Sequence, residues 1–308
     1  MSAAGREMGL SPAVVSKRIS QLEERLGARL FQRTTRQLTL TETGAGYFKR
    51  VVDILSLCEE AEDFVSRRNT KPRGLLKITM PTTFGRLHVA PYLGDFLARY
   101  PDIELDTHLS DRFVDMIREG FDLAIRIGEL EDSSLVARKI AADNRVICAA
   151  PLYLEKHGAP ASLADLNVHN CLSAGPQDTW RLDGPQGQEQ VRTNGNVRSN
   201  SGEFIREAVL GGLGLGLRST WDIGQELKSG KLKVVLPQYS GSSNVAVYAV
   251  YPCREFMPAK VNVLIEFLAE LYGPEPYWDK GLELAKRAAP KAATGGMGKR
   301  SRATTSGR

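Results

Sequence analysis

The chain has 308 residues, 42% hydrophobic and 25% charged, with a net charge of +5 at pH 7. That length allows two or three domains with sizeable cores, and the composition excludes disordered, collagen-like and disulfide-scaffold classes. No apolar run approaches the roughly 18 residues of a membrane helix, and no basic-then-apolar leader opens the chain, so the expected compartment is the cytoplasm.

The charge is unevenly placed. Residues 1–50 hold nine Lys/Arg against four Asp/Glu, and residues 286–308 hold seven Lys/Arg and no acid, which leaves 51–285 at net −7. A basic head on an acidic body suits a nucleic-acid contact confined to the first segment. Cys58, Cys148, Cys171 and Cys253, like His88, His108, His157 and His169, are scattered without ligand spacing. No metal site or disulfide framework is expected, in keeping with a reducing compartment.

Ser2–Met8 reads as a short helix ended by Gly9. Ser11 is a good N-cap, and Pro12 takes the first helical position, where its missing N–H costs nothing. Val15, Ile19, Leu22 and Leu26 recur at helical spacing and predict one buried face; Gly27 stops the helix as a C′ residue. The opposite face carries Ser16, Lys17, Ser20 and Gln21, side chains able to reach base edges and phosphates. Arg29, Arg33 and Arg36 flank Leu30-Phe31 and Leu38–Leu40, so a small hairpin presents guanidinium groups suited to phosphates and narrow minor grooves. The capped helix alone would be an ordinary surface helix. With a tight Gly turn before it and a basic hairpin after it, the arrangement predicts a winged helix-turn-helix.

Thr41–Arg68 predicts one long helix capped by Thr41. Phe48, Val51, Leu55, Cys58, Ala61 and Val65 form a narrow seam like that of a two-helix coiled coil. At about 1.5 Å per residue this helix is roughly 40 Å long, and its simplest cover is a second copy, which would supply two reading heads for a two-fold site. Packing on its own domain is the alternative. Lys71-Pro72-Arg73-Gly74 then breaks the helix.

Beyond this hinge the pattern alternates. Strands are expected at Leu75–Met80, Ile103–Leu109, Phe121–Ile127, Val136–Lys139, Val146–Ala150, Trp180–Leu182, Gln190–Asn194, Leu215–Leu217 and Val245–Tyr251. Helices are expected from the Pro81–Gly85 loop to about Arg99, then at Phe113–Glu119, Ser201–Leu210, Trp221–Lys228 and Pro258–Leu271. Such alternation implies mostly parallel sheets with helices on both faces. Ligands of these sheets lie at the carboxyl ends of strands. Two loops fit: Thr82 and Thr83 after the first strand, and Asn200 and Ser201 before the helix carrying Phe204. Facing one another, they would hold a small anion, with Phe84 and Phe204 covering an apolar body; as plain helix caps they would hold nothing. Ala288–Arg308, rich in Ala, Gly, Ser, Thr and Lys/Arg, is expected to be a disordered basic tail.

The run 11–27 (SPAVVSKRISQLEERLG), with Arg29–Arg36 and Leu40–Gly44, closely resembles the LysR-type transcriptional regulators. The likeness extends to about residue 272 through Phe121–Gly128 and Leu210–Leu217. It implies a winged-helix head over 1–40, a linker and dimerisation helix over 41–70, and an effector domain over 75–288 with two α/β lobes like type 2 periplasmic binding proteins. Lobe 1 would hold about 75–147 and 247–288, lobe 2 about 148–246, with 289–308 as the tail. By position, Ser11, Pro12, Ala13, Ser16 and Lys17 should approach the major groove, while Arg33, Thr34 and Arg36 belong to the wing. Thr82, Thr83, Phe84, Arg126, Gly128, Asn200, Ser201 and Phe204 should lie near the effector cleft, although Arg126 on its strand has an equally good structural reading. The resemblance also implies a homodimer or a homotetramer built as a dimer of dimers, with promoter DNA and a small organic effector, an anion among the candidates, as partners. RNA polymerase is a further candidate. Family members carry an additional helix ahead of the segment starting at Ser2, so a misassigned start is expected here.

Two other classes compete. A solute-binding protein would share the lobes, but the fused reading head and missing leader argue against it. An enzyme is disfavoured because Gly211–Gly216 does not satisfy GxGxxG and follows a helix, and there is no GxSxG, P-loop or HExxH. No catalytic residue and no cofactor is expected.

Overall fold

A computed structural model describes residues 2–33, 38–48, 50–51, 54, 71–112, 114–129, 135–174, 179–252 and 257–284. Helix α1 (Ser2–Glu7) leads through a turn at Gly9 to α2 (Pro12–Leu26). Ser11 caps α2, its hydroxyl accepting the Val14 N–H at 3.3 Å, and Gly27 closes it in the left-handed region at φ 61°. Of the four residues expected on the buried face, only Val15 is buried. Ile19 and Leu22 are half-buried and Leu26 is 40% exposed. The stripe at helical spacing is thus only partly covered among the described residues, where α1 packs against α2.

Strands β1 (Phe31–Arg33) and β2 (Leu38–Leu40) pair antiparallel to make the hairpin. Helix α3 starts at residue 42 and is described over 42–48. Its cap is Thr41, whose hydroxyl accepts the Gly44 N–H at 2.9 Å and donates to the Arg29 carbonyl at 2.7 Å. Phe48 and Ile54 of this segment are exposed and Val51 is half-buried; Leu55, Cys58, Ala61 and Val65, and the seam they would complete, lie outside the described residues.

The chain divides into two compact units, Met1–Ala142 with Ala246–Tyr277, and Asp143–Val245 with Trp278–Arg308. The exchange points fall at 142/143 and 245/246, so residues 143–147 belong to the second unit, where the sequence reading kept them in the first. The chain also returns to the second unit at Trp278 instead of remaining in the first to 288. The reason is pairing: the strand over Arg145–Ala149 bonds in the second unit's sheet, and Asp279 accepts the Asn144 side-chain amide at 2.7 Å.

In the first unit β3 (Gly74–Met80) ends at Pro81 and is followed by α4 (Thr82–Phe84), a π-turn (Gly85–Val89), a 3₁₀ turn (Ala90–Tyr92) and α5 (Leu93–Arg99). The sequence pattern predicts one continuous helix here. Pro91 supplies no N–H for continuous α pairing, and the π-turn inserts a residue before it. Next come β4 (Ile103–Leu109), α6 (Met116–Glu119), β5 (Leu123–Gly128) and β6 (Leu135–Ala142). Helix α6 is shorter than expected because Asp115 caps it, accepting the Arg118 N–H at 3.0 Å.

The second unit contains β7 (Arg145–Ala149), α7 (Pro151–His157), β8 (Cys171–Ala174), β9 (Thr179–Gly184), β10 (Gly187–Arg192), β11 (Arg198–Ser199), α8 (Gly202–Leu210), β12 (Leu215–Ser219), α9 (Thr220–Lys228), β13 (Lys233–Val234) and β14 (Ser240–Gly241). Strand β15 (Ala246–Pro252) and helix α10 (Ala259–Tyr272) return to the first unit.

The first sheet has order β4-β3-β5-β15-β6 and the second β11-β8-β12-β7-β13. Both are half parallel and half antiparallel, not mostly parallel as expected. The parallel pairs are those joined within one unit by a crossover, as parallel neighbours must be. Strands β7 and β15 enter from the other unit, free of that constraint, and pair antiparallel. Strands β9, β10 and β14 form a separate antiparallel sheet instead of extending the main one.

The glycine at the start of α3 is a close-packing requirement. A Cβ on Gly44 would lie 1.9 Å from the Leu30 carbonyl oxygen. Gly44→Ala should therefore push α3 off the hairpin, with an overpacking cost of about 1–3 kcal/mol. Amide hydrogen exchange over residues 12–48 should speed up about tenfold or more, while the strands of both sheets keep their protection. Unchanged exchange in the head would show that α3 does not lean on Leu30.

Candidate nucleic-acid interface and ligand loops

Helix α2 exposes Pro12, Ala13 and Lys17, with Ser16 half-buried beside them. Ser11 is exposed but its oxygen is engaged in the cap. Arg18, Gln21 and Arg25 are exposed as well, so the outer surface of the helix is cationic and rich in hydrogen-bonding groups, with Arg18 an addition to the expected residues. Arg33 ends β1, paired with Leu38; Thr34 and Arg36 lie outside the described residues.

What aligns this helix with the hairpin was not read from the sequence. Glu23 sits in the last turn of α2, and its Oε1 accepts both the Leu30 N–H (2.8 Å) and the Phe31 N–H (3.0 Å). Thr41, at the far end of the hairpin, donates its own N–H to the Leu30 carbonyl at 2.9 Å. Helix, hairpin and linker helix therefore meet on the backbone of one residue, the buried Leu30. The signal was present in the spacing of Glu23 and Thr41 around Leu30, but a charged residue on a helix face usually reads as solvated surface.

The expected ligand residues form two groups, one in each unit. In the first, Thr82 is exposed and its N–H donates to Asp111 Oδ1 at 3.0 Å; Thr83 is half-buried. Arg126 lies on β5, half-buried, with Nη1 3.5 Å from the Ser110 carbonyl oxygen. Burial pushes the Arg126 pKa down from the usual guanidinium value, and the negative charge of Asp111 opposes that shift. Gly128 ends β5 opposite Ala246. Phe84 differs from expectation. It is fully buried, 5.1 Å from the His88 ring and 5.9 Å from that of Tyr272, so it packs the core beneath the Thr82-Thr83 turn where an exposed ring was expected.

In the second unit Ser201 caps α8, accepting the Phe204 N–H at 3.3 Å, and its N–H donates to Ser199 Oγ at 3.0 Å. Asn200 is exposed and Phe204 is 59% exposed, an open aromatic surface next to the cap. Below them Arg218, on β12, is buried and ion-paired with Asp222, its Nε 3.1 Å from Asp222 Oδ2. Its guanidinium reaches to 3.4 Å from where a Cβ on Gly202 would stand. Asp111 and Arg218 are both additions to the sequence reading. Asp111 acts across strand ends, 29 residues from its partner, which local spacing does not reveal; Arg218 and Asp222 stand four residues apart at a strand–helix junction, a local signal that was present in the sequence.

Comparison with known proteins agrees with this architecture. Residues 1–45 match the bacterial regulatory helix-turn-helix proteins of the lysR family, and residues 69–273 match the LysR substrate binding domain. The HTH-type transcriptional regulator DmlR of Escherichia coli (strain K12) is 40% identical over 288 residues, covering 92% of this chain and 93% of that protein. The transcriptional activator TtdR of the same strain is 37% identical over 272 residues, 87% of each chain. Among solved structures, CrgA of Neisseria meningitidis, a LysR-type transcriptional regulator, has a TM-score of 0.57 at 33% identity, over 87% of this chain and 92% of that one. The full-length Vibrio cholerae virulence activator AphB has a TM-score of 0.58 at 27% identity, over 87% and 93%. Head, lobes and matches together define a DNA-binding regulator of transcription with an effector-binding domain, a class of non-enzymes. The chain belongs to the LysR family of transcriptional regulators.

Glu23→Ala should leave two N–H groups of the hairpin unsatisfied, each costing about 1–3 kcal/mol. The expected result is at least a tenfold loss of affinity for duplex DNA, read by fluorescence anisotropy. Glu23→Gln, which keeps an acceptor oxygen, should lose less. Equal losses for the two variants would assign Glu23 a purely electrostatic part.

Proposed function

We propose that the protein binds promoter DNA as paired dimers and changes their arrangement when a small organic effector is bound by its two lobes. One observation carries the reading: a capped helix with a polar, cationic outer surface is locked to a hairpin by Glu23 and Thr41, a rigid unit suited to groove contact. Ser11, Pro12, Ala13, Ser16 and Lys17 take the major groove, and Arg33, Thr34 and Arg36 the backbone or minor groove beside it. The exposed Phe48 and Ile54 support the long helix as the dimer contact, since an apolar stripe in water favours association with its copy. Thr82, Thr83, Arg126 and Gly128 on one lobe, and Asn200, Ser201 and Phe204 on the other, supply the effector contacts, with Phe84 supporting from below. A ligand shifts the assembly only through differential affinity for its two arrangements. Among the described residues no helix is long and apolar enough to cross a membrane, and a promoter-binding role places the protein with the DNA in the cytoplasm.

Affinity for a duplex should fall steeply with salt, because each phosphate neutralised contributes about −0.9 to the slope of log K against log salt. Lys17→Ala should reduce that slope by about one unit and weaken all duplex sequences alike. A salt-independent affinity, or an unchanged slope in Lys17→Ala, would remove the groove-facing assignment of α2. Phe204→Ala should leave duplex binding intact while abolishing the thermal stabilisation produced by whichever small carboxylate or aromatic acid stabilises the unaltered protein in a melting screen.

A further inference from the structure

The parallel half of the first sheet runs β4-β3-β5. The chain leaves β3 for β4 on one side and then reaches β5 on the other. The carboxyl end of β3 is therefore a topological switch point, where open α/β sheets leave a crevice for a ligand. Three groups converge there, one from each strand end. Thr82 follows β3, Arg126 lies toward the end of β5, and Asp111 stands two residues past β4. The Asp111 carboxylate accepts the Thr82 N–H at 3.0 Å and its charge acts on the Arg126 guanidinium. Arg126 reaches the carbonyl of Ser110, the residue before Asp111. Asp111 and Thr82 are exposed and Arg126 half-buried, so the group is open to solutes.

We propose that Asp111 is a resident carboxylate that occupies the position an anionic effector group would take at the end of β3, and so sets the charge selectivity and threshold of the effector response. This rests on the effector reading above. An amide N–H and a guanidinium within electrostatic reach of it favour an anion, the N–H through a charge-assisted hydrogen bond. Asp111 already supplies one from the neighbouring strand, tethered and hence at high effective concentration. A free carboxylate must displace it. A hydroxyl or amide group of a ligand, carrying no charge, gains little from doing so. The chain thus discriminates by competition as well as by contact.

Inorganic sulfate serves as the probe, with chloride at equal ionic strength as control, and the melting midpoint as the readout. Asp111→Ala should acquire a saturable sulfate-dependent rise whose half-saturating concentration lies at least tenfold below that of the unaltered protein. Asp111→Asn, which keeps an acceptor for the Thr82 N–H while losing the charge, should fall between them. Adding Arg126→Gln to Asp111→Ala should abolish the gain. The proposal is overturned if both Asp111 variants respond to sulfate as the unaltered protein does, or if the gain survives Arg126→Gln. Should Asp111→Ala fail to fold, Asp111→Asn decides alone. Duplex affinity measured on the same samples separates the two readings: loss of the regulator function would appear in the unaltered protein, whereas failure of this proposal would appear only in the sulfate response of the variants.

Discussion

The two backbone hydrogen bonds accepted by Glu23 are the constraint on which the reading head depends. A three-residue ribbon has too little pairing to fix its own direction, since isolated two-stranded hairpins are marginal in water. Its first strand is instead hung from the preceding helix by a carboxylate, and its second is closed by the hydroxyl and N–H of Thr41. The same threonine starts the next helix. An adjustment at the hairpin is therefore an adjustment of the angle at which the linker helix departs, with Gly44 against Leu30 leaving no slack between them. Groove contact and the direction of the linker share one joint.

How much of this was legible in the sequence depends on the distance over which each feature is encoded. Ser11, Pro12 and Gly27 delimit α2 by rules that act within three or four residues, and the structure places the helix between them. Thr41 as a cap was legible for the same reason. Sheet direction was not, because the alternation of strands and helices says nothing of a strand that arrives from another lobe; β7 and β15 take their direction from that entry. The burial of Phe84 was not legible either, since one of the rings it packs against, Tyr272, lies far along the chain. Asp111 lies 29 residues from the N–H it accepts, beyond any periodic signal.

The lobes place polar groups where a ligand would meet them, but by different physical means. In the second, Asn200 and Ser201 are neutral, and the cap geometry commits Ser201 to the helix. The charge nearby belongs to Arg218, and a cation below the amino end of a helix opposes the helix dipole. Asp222, itself buried and salt-bridged to Arg218, offsets that cost. Removing one partner of so buried a pair would leave the other without its principal counter-charge, which makes the pair a structural unit; the charge exposed above it is that of Glu203 in the first turn of α8.

In the first lobe the corresponding pair is not buried in the same way. Asp111 is exposed, and the Arg126 guanidinium on which its charge acts is only partly withdrawn from water. Water and dissolved ions can compete for such an interaction, and its net value is smaller than that of a buried pair. On the proposed reading the two lobes take different parts in recognition. The second offers an exposed aromatic ring with the neutral Asn200 and Ser201 and the exposed Glu203 beside them, above a charge pair buried in the fold. The first offers a charge balance that a ligand can alter. A ligand that replaces one carboxylate by another at that point changes what holds the Thr82 turn, and the turn leads directly into the π-segment and the aromatic packing of Phe84, His88 and Tyr272. On the proposed reading, exchange of a single anion there would act on the core of the lobe, a route by which a small solute can have an effect larger than its own contacts.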